Sequence, residues 1–171
     1  MSKRMGKGIN MGNTLEAPSE GEWAKAATDY FFDDYKAAGF TNVRIPIKWV
    51  SHIDANGTID AAFMNHVEDV IDMALSRGLV TIINVHHENW IISDYWGNKG
   101  KLIYIWEQIS NRFKNKNENL VFELFNEPRA PMGNTECIDM NFALVPTIRA
   151  NNPKRIVIVG GTGWGNFVDL M

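Results

Sequence analysis

The sequence predicts an α/β fold, a partial or reduced (β/α) TIM-type barrel of about five parallel strands and four helices, on three observations. The hydrophobic period switches repeatedly between strand-like and helix-like along the chain. One strand, Leu79 to Val85, is nearly all apolar, as strands buried on both faces of a parallel sheet are. Asn13, Trp49, His86, His87, Asn126, Glu127 and Trp164 fall at or just beyond the C-terminal ends of different strands, the edge where a barrel collects its functional groups. A doubly wound nucleotide fold would place a glycine-rich turn after its first strand. Gly8-Ile9-Asn10-Met11-Gly12 lacks the third glycine and a prompt helix start.

The elements follow in order. Lys7 to Met11 is short and apolar, a first strand. Glu22 to Ala38 has helical spacing at Trp23, Ala27, Tyr30, Phe31 and Tyr35 and stops at Gly39. Asn42 to Ile47 is β-branched and carries Pro46 near its end. Asp60 caps an amphipathic helix with Phe63, Val67, Val70, Ile71, Ala74 and Leu75 on one side, closed by Gly78. After the strand at Leu79 to Val85, Lys101 to Phe113 reads as a helix, Leu120 to Phe125 as a strand and Cys137 to Arg149 as a helix. Arg155 to Val159 is the fifth strand.

The bulk numbers exclude several classes. The 171 residues suit one domain, 1–171, with one core. A net charge of -3 carries no basic footprint for nucleic acid or an anionic membrane. The single cysteine, Cys137, rules out an internal disulfide framework. No run reaches the roughly 18 apolar residues of a membrane span, and the basic start has no apolar stretch after it. The expectation is a protein secreted in its parent form, with a cytoplasmic location as the alternative.

Hydrolysis of a glycosidic bond needs one carboxyl group to protonate the leaving oxygen and a second to attack or to activate water. Glu127 suits the first role. Strand alternation puts Val121, Glu123, Phe125 and Glu127 on one face, and Pro128 ends the strand because it cannot donate to the ladder. The competing reading is a rim glutamate in a salt bridge. Asn126 is placed to bond a substrate hydroxyl. Arg44, mid-strand among apolar neighbours, needs a carboxylate partner. Either it orients a catalytic carboxylate or it pairs structurally with Glu123, and the two are compatible. Adjacent strand residues point to opposite faces, so His86 and His87 are poor ligands for one metal. One is expected at the sugar or a carboxylate, the other behind it. Of the six tryptophans, Trp23 and Trp106 lie at helical core spacing. Trp49, Trp90, Trp96 and Trp164 follow strands or sit in loops, where a ring can stack on a sugar face.

Five stretches together resemble glycoside hydrolase family 5, the cellulase-type retaining enzymes. They are Gly8 to Ala17, Val43-Arg44-Ile45-Pro46, Asn84-Val85-His86-His87, Phe122 to Pro128, and Val159 to Trp164, in family order and at family spacing. The resemblance implies Glu127 as acid/base with Arg44, His86, His87 and Asn126 around it, no cofactor and no metal. It implies a partner that is a β-1,4-linked glucan, mannan or xylan. It covers the N-terminal half of a (β/α)8 barrel. The family's sixth-strand His-x-Tyr element, seventh-strand nucleophilic glutamate and eighth-strand tryptophan have no counterpart in the chain.

Five parallel strands are expected to leave two open edges and an exposed apolar inner face, covered by self-association as a homodimer or removed by rearrangement into a smaller closed barrel. The alternatives to a hydrolase are a non-catalytic carbohydrate binder and a folding fragment of such a barrel.

Overall fold

The computed structural model describes residues 5–166. In chain order they form β1 (Gly8–Asn10), α1 (Asp29–Ala37), β2 (Asn42–Ile45), a 3-10 turn (Val50–His52), α2 (Ala61–Ser76) and β3 (Val80–Asn84). There follow α3 (Asn89–Ser93), α4 (Tyr95–Arg112), β4 (Leu120–Glu123), α5 (Asn134–Asn151), β5 (Ile156–Ile158) and a short helical turn α6 (Thr162–Gly165). The strands make one sheet in the order β1-β2-β3-β4-β5, and every neighbouring pair is parallel. The crossovers are made by α1, α2, α4 and α5, the four helices the periodicity predicts. This is a five-stranded partial TIM-barrel-like fold.

The strand sequences alternate as the two faces require. Val43, Ile45, Ile83, Leu120 and Phe122 point outward into the main core, where Val67, Val70, Ile71, Trp106 and Ile109 of α2 and α4 meet them. Val80, Ile82 and Val121 face inward and pack with Met5, Ile156 and Ile158. Helix boundaries follow local chemistry. Asp60 accepts from the Phe63 amide at the start of α2, and Asp94 from the Gly97 amide at the start of α4. Gly78, at φ 69°, ends α2 in the left-handed region open to glycine.

Arg155 locks the lower end of the sheet. Its guanidinium donates to the carbonyls of Phe113, Lys116, Asn117 and Leu120 and lies over the Phe122 ring, joining the start of β5 to the α4–β4 loop. Burial pushes its pKa down from the usual arginine value.

Three sequence expectations are corrected here. The helix expected over Glu22 to Ala38 begins only at Asp29, and the residues before it form a loop. Glu20 holds that loop. Its carboxylate accepts from the Ala27 amide (2.7 Å) and pairs with His66 of α2 (2.5 Å), and Gly21 turns the chain at φ 93°. Trp23 therefore leaves the helical core stripe and is 49% exposed. The inner face is less exposed than expected: Val80, Ile82 and Val121 are buried, with Met5 and the partly buried Ile156 and Ile158 packed against them. Among the described residues the aliphatic and phenyl side chains left in solvent include Ile138 and Phe142 of α5 and Val159 after β5.

Candidate functional site at the C-terminal edge of the sheet

The register brings polar residues of four strands together. Asn10 pairs with Arg44 across β1 and β2, and Asn84 with Glu123 across β3 and β4. Alternation turns all four inward, above the apolar layer of Val80, Ile82 and Val121. Arg44 spans the space between them. Its Nε and Nη2 donate to the two Glu123 oxygens at 2.6 and 2.7 Å, the two-pronged geometry that suits a planar guanidinium. Nη1 donates to Asn10 Oδ1 (2.9 Å) and Nη2 also to Asn126 Oδ1 (2.7 Å). Arg44 thus has the structural partner Glu123 and at the same time orients Asn126. Arg44 engages one lone pair of Oδ1, which orients the Asn126 amide and leaves its two N–H donors for other partners.

Glu127 follows directly. The strand ends at Glu123, and Glu127 stands exposed in the left-handed region at φ 48°. Its placement is set by a turn rather than by the strand alternation expected from sequence. The Asn126 amide donates to Val85 O, tying the end of β4 to β3, and Pro128 O accepts from the Trp164 amide.

His86 and His87 sit beside this cluster. Asn84 Oδ1 accepts from the Ile47 amide, so its Nδ2 faces His86 Nδ1 at 3.1 Å as donor. That makes Nδ1 the acceptor and places the single ring proton on Nε2. Burial first, then the charges of His87 and Arg44, hold the His86 pKa down to about 3, so the ring is neutral near pH 7. His87 does not lie behind it. It has left the strand at φ 55°, and its ring meets the His86 ring edge-on with centroids 4.3 Å apart. Opposite-face alternation fails because β3 has already ended at Asn84.

The tryptophans divide differently from expectation. Trp49 is fully buried. Its Nε1 donates to Asn84 O (3.0 Å) and its ring packs on Phe63, so it is a core residue that supports the rim from below. Trp106 is buried as expected, donating to Leu124 O. Trp90 is half-buried, bonded to Glu88 and covered by Lys101. Trp96 is exposed on α4 and bonded to Glu136, while Trp164 is 64% exposed after β5 with Arg129 over its ring. Trp23 meets His87 edge-on at 6.3 Å, so the loop that removes it from the core delivers it to the rim.

Asn13 is exposed at φ 65°, its amide bonded to Glu16. The other acidic side chains near the rim are committed. Glu16 also accepts from the Thr14 amide, Glu88 from the amides of Trp49 and Val50, and Glu123 from Arg44. Burial pushes the Glu88 carboxyl above the usual range. Sequence reasoning missed Trp23, Arg129, Asn10 and Asn84. For the two asparagines a signal existed: both occupy inward positions of strands already recognised. Among the described residues no group of three or more His, Cys, Asp or Glu could hold a metal ion.

A parallel β/α sheet that gathers an arginine-carboxylate-amide cluster, two imidazoles and solvent-facing indoles along one edge defines a partial (β/α)-barrel-like protein with its polar groups collected there. Comparison with known proteins makes this specific. The sequence pattern described as Cellulase (glycosyl hydrolase family 5) matches residues 5–171, and the chain belongs to that family. It is 53% identical to Endoglucanase H of Acetivibrio thermocellus over 173 residues, spanning 100% of this chain and 19% of that protein. It is 38% identical to Endoglucanase B of Clostridium cellulovorans, covering 92% of this chain and 41% of that one. The crystal structure of endoglucanase Cel5A from Thermotoga maritima superimposes with a TM-score of 0.94 at 39% identity, over 98% of this chain and 55% of that chain. The chain thus spans about half the length of that solved structure. Among the described residues no helix is long and apolar enough to cross a membrane.

Proposed function

We propose that residues 1–171 act as one domain, the N-terminal half of a retaining β-1,4-glucan hydrolase site, with Glu127 as acid/base. The observation that carries the reading is Asn126 and Glu127 standing together just beyond β4, with Asn126 oriented by Arg44. In this reading the Glu127 proton passes to the glycosidic oxygen as the bond to the sugar breaks. The Asn126 amide and the His86 Nε2–H donate to sugar hydroxyls, and His87 and the exposed indoles of Trp164 and Trp23 offer ring faces. Asn13, Trp90 and Trp49 have lesser parts: the first two border the rim and the third holds it from beneath.

The attacking carboxylate lies outside these elements. Glu16, Glu88 and Glu123 each neutralise amides or Arg44, and none is free to attack a sugar. A second chain segment, supplied by further barrel strands or by a second copy along the β1 and β5 edges, completes the pair. An insoluble polymer as substrate places the work outside the cell.

The test is turnover of carboxymethyl-cellulose by the chain beside Glu127→Gln, with cello-oligosaccharide binding measured on both. Cleavage abolished in Glu127→Gln with binding retained is the expected result. Binding by both proteins with cleavage by neither supports a carbohydrate-binding module instead. Equal cleavage by both would refute the role of Glu127.

A further inference from the structure

We infer that Arg129 is a positioning residue for the Glu127 carboxyl group, a role that rests on the acid/base reading of Glu127. Three rim loops meet on its guanidinium. Nη1 donates to the Glu127 carbonyl itself (3.2 Å), and Nη2 donates to Asn89 Oδ1 (2.9 Å) at the start of α3. The guanidinium carbon lies 4.8 Å from the centre of the Trp164 ring. Trp164 in turn donates its backbone N–H to Pro128 O at 3.0 Å. The carbonyls of Glu127 and Pro128 are therefore both held, one by Arg129 and the other by the residue on which Arg129 stacks.

The hold has something to oppose. Glu127 at φ 48° and Trp164 at φ 68° are side-chain-bearing residues in the left-handed region, where Cβ crowds the backbone. Such conformations persist when surrounding contacts over-determine them, and they concentrate at functional sites. Among the described residues Arg129 makes no salt bridge, so its charge is spent on a carbonyl, an amide oxygen and an indole rather than on a carboxylate. Releasing it frees the Glu127 backbone to relax, and the carboxyl group moves with it. Lysine keeps the charge but has no planar fork to reach two acceptors and stack at once.

The consequence is specific to proton donation. In the first half-reaction a second carboxylate attacks the anomeric carbon, the bond to the leaving oxygen breaks, and the Glu127 proton passes to that oxygen. A sugar hydroxyl leaves only when protonated, whereas 2,4-dinitrophenolate leaves as the anion and needs no acid. The experiment measures kcat/KM of the full chain on a cello-oligosaccharide and on 2,4-dinitrophenyl β-cellobioside, for wild type, Arg129→Met, Arg129→Lys and Glu127→Gln. Arg129→Met is expected to lose about 10–100-fold on the oligosaccharide, the scale of an acid misplaced by about 1 Å, and about 3-fold or less on the activated substrate. Arg129→Lys should fall between wild type and Arg129→Met. If Arg129→Met fails to fold, the same split in Arg129→Lys carries the test. Equal losses on both substrates, or no loss on either, overturn the positioning role. A Glu127→Gln protein that cleaves the oligosaccharide as well as wild type overturns the acid reading instead.

Discussion

Removing Arg44 should destabilise the chain more than removing its partner, and removing both should restore much of the loss. The Arg44 and Glu123 side chains are 25% and 16% exposed, so the pair is partly shielded from water. Breaking a fully buried pair from one side costs about 3–5 kcal/mol, and partial exposure brings this toward about 2–3 kcal/mol. Arg44→Met sits at that upper value. It strands the Glu123 carboxylate with only the Asn84 amide at 3.5 Å and leaves Asn126 Oδ1 without its donor. Glu123→Leu is milder, about 1–2 kcal/mol, because Arg44 keeps Asn10 and Asn126 as acceptors. The double variant places apolar side chains above Ile82 and Val121, and a coupling of about 1.5 kcal/mol between the two changes is expected. Urea unfolding followed by tryptophan fluorescence measures all four proteins. Single-variant losses that add to within about 0.5 kcal/mol would show that the two-pronged bond carries no net stability, and the argument for Arg44 as the organiser of the rim would fall with it.

Two other outcomes follow from the same geometry. His86 should show no imidazole titration by NMR between pH 5 and 8, because its folded pKa is held near 3. The unfolded chain takes up that proton near pH 6.5 and the folded one does not, so stability falls as pH drops from about 6.5 toward 3. Urea midpoints at pH 7 and pH 4.5 should therefore differ less in His86→Gln than in wild type; equal differences would contradict the assignment. Trp23→Ala should weaken cello-oligosaccharide binding by about 10-fold, the scale of one lost aromatic contact, while leaving the urea midpoint nearly unchanged because the ring is half in solvent. Calorimetric titration checks the first part, and a full-strength binder would remove Trp23 from the site.

The fold was legible wherever burial and backbone period coincide. Val80 to Asn84 is buried throughout and reads as a strand from composition alone, and Asp60 with Gly78 brackets α2 by chemistry that acts within a few residues. The stretch from Glu22 to Thr28 was illegible for the opposite reason. Its apolar spacing suits a helix, but Glu20 binds the Ala27 amide and His66, and a partner 46 residues away leaves no trace in local periodicity. Trp23 and Trp49 exchange places on this account. Each was assigned by its neighbours in sequence, and each is placed by a side chain elsewhere: Glu20 pins the loop that carries Trp23, while Glu88 draws the amides of Trp49 and Val50 into the core.

At the site the same rule separates residue identity from residue pose. Glu127, Asn126 and Arg44 were recognisable because a carboxyl group, an amide and an inward arginine at strand ends have few structural uses. Their poses were not recognisable, because each departs from the regular element that locates it. Glu127, His87 and Asn13 all lie at positive φ three or four residues beyond a strand end. A strand's alternation says which face a residue leaves from, and a left-handed residue then redirects the chain by an angle that alternation does not contain. Rim residues of a barrel are the ones most exposed to this failure, since function requires them to stand where the sheet has just ended. That is why Arg129, which holds the redirected backbone at Glu127, was invisible in the sequence although it lies only two residues from the carboxyl group it positions.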